Sequence, residues 1–60
     1  MSRKNILKTE NVGDGKVHVT FENPDGNRTY EYVGNSARAI KRGKTDPSQL
    51  VGRLVKHERA

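Results

Sequence analysis

Cysteine is absent from the sequence. That excludes disulfide staples, thiolate-ligated zinc and a cysteine nucleophile. Aromatic residues are nearly as scarce, with Phe21, Tyr30 and Tyr32 forming the whole set. Hydrophobic residues supply only 30% of the chain, below the roughly 45–50% of an average domain. No apolar run exceeds three residues, far short of the ~20 that a spanning helix requires, and no signal-peptide core is present. The expected location is therefore the cytoplasm.

The chain does have charge and regular alternation. Its 60 residues bound one small domain, and a domain this size buries only about 60% of the surface its unfolded chain exposes. A homodimer with a shared core would make up part of that shortfall. The net charge of +5 is unevenly placed. Residues 1–33 hold as many acidic as basic side chains, so the whole excess falls in residues 34–60. Such asymmetry points to contact with nucleic acid or another anionic surface.

The clearest structural signal is KVHVTFENPDGNRTYEYV, from Lys16 to Val33. Two alternating runs flank Asn23-Pro24-Asp25-Gly26-Asn27, the pattern of two strands and a turn. Val17, Val19 and Phe21 share one face of the first run, with Lys16, His18, Thr20 and Glu22 on the other. A three-residue loop would pair Phe21 with Thr29. A four-residue loop pairs Phe21 with Tyr30 and Val19 with Tyr32, gathering the aromatics on one face, and burial at about 1.5–3 kcal/mol per large side chain favours it.

Upstream, Ile6 to Val12 reads as a further strand, joined through Gly13-Asp14-Gly15. A two-residue turn sets Val12 opposite Val17. A three-residue turn sets Leu7 opposite Phe21 and Thr9 opposite Val19, and is preferred for the larger pair it buries. Met1 to Asn5 reads as a disordered basic terminus.

Downstream, Asn35 or Ser36 offers an N-cap for a short helix that Gly43 stops at its C′ position. Asp46-Pro47-Ser48-Gln49 has the form of a second helix start, with a cap, a proline at N1 and a glutamine at N3. Leu50, Val51, Leu54 and Val55 would then form its apolar face. Gly52 lies inside that helix at a cost of about 1 kcal/mol, which a close approach to a strand or a twin subunit would explain.

The expected architecture is α+β. A three-stranded antiparallel meander (6–12, 16–23, 28–33) packs against one or two C-terminal helices, at 36–42 and 47–58. Residues 6–60 form the single domain.

Few groups suggest catalysis. His18 and His57 are the only histidines, and no spacing supplies the three or four converging ligands of a metal site. Gly13-Asp14-Gly15 lacks the length and the Lys-Ser/Thr ending of a phosphate loop. Gly34-Asn35-Ser36 is better placed, since free amides at a helix start attract anions. The expectation is a non-enzymatic protein without cofactor or metal that binds DNA or RNA. Arg38, Lys41, Arg42 and Lys44 are the first phosphate contacts, with Arg53 and Lys56 behind them. The alternative is a protein-interaction module, an adaptor or inhibitor, with Leu50, Val51, Leu54 and Val55 as its docking face.

Overall fold

The computed structural model describes residues 5–59. The expected disordered terminus lies outside them except for Asn5, which begins a strand. Four strands, β1 (Asn5–Gly13), β2 (Lys16–Asn23), β3 (Gly26–Tyr32) and β4 (Arg53–Arg59), form one antiparallel sheet in the order β1-β2-β3-β4. One helix, α1 (Gly34–Lys41), follows β3, and a single 3-10 turn at Pro47–Gln49 precedes β4.

Three strands packed against one or two C-terminal helices is therefore incorrect: the sheet has a fourth strand, and the segment expected as the second helix supplies it. The cap of the second helix does form: Asp46 Oδ1 accepts from the Ser48 N–H at 3.0 Å and from Ser48 Oγ at 2.9 Å. Winding nevertheless stops after one turn, and Leu50 is extended (φ −106°, ψ 156°). A helix of about 12 residues is marginal by itself, and Val51, Gly52 and Val55 all lower its propensity. The free edge of β3 offers the same backbone a complete ladder. Residues 53–59 take it, pairing Tyr30 with Leu54 and Arg28 with His57.

The first helix also departs from expectation. It begins at Gly34 with Val33 as N-cap and no capping side chain, so neither Asn35 nor Ser36 serves. Gly43 does occupy C′, at φ +70°. Its N–H reaches the Ile40 carbonyl at 3.0 Å, and the Lys44 N–H reaches that of Ala39 at 3.1 Å. This is a Schellman motif, and a glycine suits its left-handed residue.

Both hairpin registers need correction. The β2–β3 loop is Pro24-Asp25 alone, because Asn23 pairs with Gly26. Val17 then faces Tyr32, Val19 faces Tyr30 and Phe21 faces Arg28, a shift of two residues from the four-residue loop. An even shift keeps every side chain on its face. Tyr30 therefore still meets Phe21, diagonally and edge-to-face, with ring centroids 5.8 Å apart. In the first hairpin, Asp14 (φ 54°) and Gly15 (φ 69°) form a two-residue turn with both φ positive, as in type I′. Bulges at Val12 and Leu7 then change the register along the ladder. Gly13 pairs with Lys16, Thr9 with Val19 and Ile6 with Phe21, so elements of both expected registers coexist in one hairpin.

The core lies between the sheet and α1. Val17, Val19, Phe21 and Tyr32 meet Ala37 and Ile40, with Tyr30 and Leu50 packed at the margin. The Tyr32 hydroxyl donates to the Pro47 carbonyl at 3.1 Å, tying the 3-10 turn over the sheet. Burial holds that phenol above its ordinary pKa. β1 is exposed along its whole length. Among the described residues no helix is long and apolar enough to cross a membrane.

Candidate nucleic-acid interface

Ala37 and Ile40 anchor α1 to the sheet. Helical spacing then turns Arg38, Lys41 and Arg42 outward as neighbours, at i, i+3 and i+4. The Schellman turn carries Lys44 just beyond them. All four are exposed. Among the described residues none of the four has an acidic partner within ion-pairing distance. Arg38 and Lys41 also complement the negative end of the helix dipole, a structural benefit independent of any ligand.

Arg38 and Lys41 line a cleft of about 350 Å³ with Gly34, Gly15 and Asp14. Gly34, at the uncapped start of α1, lines it, but so does Asp14. An anion in this cleft would meet opposing charges, so the cations act best toward the outer surface.

Arg53 and Lys56 do not join the other four. They lie on the opposite, open face of the sheet, and each has a counter-charge. Arg53 Nη2 donates to Glu31 Oε1 at 3.2 Å, and Lys56 Nζ lies 3.5 Å from Glu58 Oε2. Among the described residues, the six sequence-assigned cations thus divide into four without an ion-pair partner and two with one.

The open face is a mixed-charge surface. His18 Nε2 donates to Glu31 Oε2 at 3.1 Å. That hydrogen bond, with Lys16 and Arg53 nearby, keeps the Glu31 carboxyl below its ordinary pKa. Thr20 and Thr29 join through their hydroxyls at 3.0 Å in the centre of the face. A shallow groove of about 570 Å³ runs across them between Leu7 at one edge and Val55 at the other. Among the described residues no three His, Asp or Glu side chains are grouped to hold a metal ion.

A third cluster joins the β2–β3 turn to the end of β4. Arg28 donates to Asp25, holding that carboxylate below and its own guanidinium above the usual range. His57 Nε2 donates to the Asp25 carbonyl at 3.3 Å. Sequence reasoning missed this cluster because it assigned His57 to a helix. One signal was available: Leu7-Lys8-Thr9-Glu10 and Val55-Lys56-His57-Glu58 share an aliphatic-Lys-x-Glu pattern. In the structure these are the two edge strands, and each is bulged at its aliphatic residue.

Comparison with protein-family models, with curated proteins and with solved structures finds no match to this chain.

Proposed function

We propose that the protein binds nucleic acid non-catalytically, through the phosphate backbone, with Arg38, Lys41, Arg42 and Lys44 as the contacts. The observation that carries this reading is the contrast between the two cationic groups. Among the described residues, four exposed cations within one helix and its terminal turn have no carboxylate within ion-pairing distance, while Arg53 and Lys56 of β4 each have one. Unpaired cations on a rigid helix release counterions when they meet phosphate, which is the main source of sequence-independent affinity. Arg53 and Lys56 have at most a secondary part.

Fluorescence anisotropy on labelled duplex and single-stranded DNA and RNA at low salt tests the proposal. Binding is expected to weaken steeply as salt rises. Replacing Arg38, Lys41 and Arg42 with alanine should abolish most of it and reduce the log–log salt slope by roughly 2–3. The pair Arg53→Ala/Lys56→Ala should retain most of it. No binding at low salt to any of the four nucleic acids would overturn the reading.

A second reading, a protein-interaction module, draws support from Val33 and Val51, which are 54% and 95% exposed and line one cleft. It predicts a dominant protein partner retained after nuclease treatment and lost in Val51→Asp. Of the apolar face expected for that module, Val51 alone lines this cleft, because Leu50 packs inward and residues 53–59 are a strand.

A further inference from the structure

We infer that β1 is a homodimerisation strand, pairing antiparallel with β1 of a second copy about a two-fold axis through Thr9. β1 is one of the two outer strands of the sheet, nine residues long and exposed throughout. Ile6, Leu7 and Val12 on it are 43%, 50% and 41% exposed. An edge carrying aliphatic side chains is a template for strand addition except where bulges or charge block it, and the bulges of β1 confine that template to its middle. Here the charge selects a partner.

In a symmetric antiparallel pair each residue meets its mirror image about the central one, and only a residue can be the centre if both copies keep their faces. Centring on Lys8 sets lysine against lysine. Centring on Glu10 sets glutamate against glutamate. Centring on Thr9 sets Lys8 against Glu10 of the second copy twice, with threonine opposite threonine between them. Cross-strand pairs of opposite charge stabilise, and like charges destabilise. The bulges at Leu7 and Val12 leave Lys8 to Asn11 as the regular ladder. The same register sets Ile6 of each copy opposite Val12 of the other at the two ends. Lys8 and Glu10 are already 3.7 Å apart within one strand, so the two copies build a four-charge network rather than two isolated pairs.

The competing occupant is β4 of a second copy. Its Lys56 and Glu58 could face Glu10 and Lys8 in an antiparallel register, but that contact is head-to-tail and propagates into an open-ended sheet. The β1–β1 contact is isologous and closes at two copies.

Charge reversal distinguishes them. Light scattering coupled to size exclusion should give twice the 6.7 kDa chain mass, read over a dilution series. Lys8→Glu alone, or Glu10→Lys alone, should weaken association by about tenfold or more, since each places like charges in opposition. The double variant Lys8→Glu/Glu10→Lys should restore the dimer, because both copies carry the exchange. In a β1–β4 assembly the double variant would remain defective. Thr9→Cys, in a chain otherwise free of cysteine, should form an intermolecular disulfide under mild oxidation, since directly opposed residues have suitable Cα spacing. A monomer at every concentration, an open-ended assembly, or a double variant that stays dissociated would each overturn the inference.

Discussion

Gly52 rests against the ring of Tyr32 so closely that a methyl group on its Cα would lie 2.8 Å from both Cε2 and Cζ. The same methyl would be 3.2 Å from the Glu31 carbonyl. The glycine marks a close approach, as its position in the sequence suggested, though to a strand from an extended segment. Gly52→Ala is expected to destabilise the fold by about 1–3 kcal/mol through overpacking. Urea denaturation measures it, and an unchanged midpoint would mean that the ring yields without cost.

Tyr32→Phe tests the polar end of the same side chain. The variant keeps the ring and removes one of two donors to the Pro47 carbonyl, which retains the Leu50 N–H at 3.0 Å. The expected loss is about 0.5–1.5 kcal/mol. It should be accompanied by faster proteolysis near residues 46–52, because the hydroxyl is what ties that segment down.

Gly43→Ala isolates a backbone effect. Nothing lies within 4 Å of a Cβ at this position, yet φ is +70°. The cost is then conformational alone, about 1 kcal/mol, measured as a lower thermal midpoint. Gly43→Asn should recover part of it, since asparagine tolerates the left-handed region better.

Acid should loosen the open face of the sheet through Glu31. Its carboxyl is held low mainly by the hydrogen bond from His18. A depressed folded-state pKa contributes stability that is present above the unfolded value, near 4.3, and is lost as pH falls through the folded one. Glu31→Gln should therefore show a flatter dependence of stability on pH than the parent between about pH 5 and pH 3. Identical slopes would remove Glu31 from the acid response.

Much of the sheet was legible in the chain. Alternation placed Val17, Val19, Phe21, Tyr30 and Tyr32 on one face, and the register error preserved it because it was even. Gly43 and the Asp46 cap are local devices, and both were read correctly. β4 was not legible by the same means. Leu50, Val51, Leu54 and Val55 satisfy a helical period, and the cap before them is genuine. The decision rests on a long-range quantity, the unpaired edge of β3, that no window of sequence contains. The division of the cations between two faces was not legible for the same reason. Spacing along the chain placed Arg38, Lys41 and Arg42 together, but only the topology sends Arg53 and Lys56 to the other side of the sheet, beside Glu31 and Glu58.

β1 contributes no buried side chain, and α1 packs chiefly over β2. Detaching this strand would expose the flank of the core without dismantling it. In native-state hydrogen exchange, the amides of β1 that face β2 should therefore open in a sub-global step, at lower free energy than those between β2 and β3. If β1 pairs with a second copy, that opening should slow as protein concentration rises, while exchange between β2 and β3 stays constant. That outer strand would then report, amide by amide, on the state of its assembly.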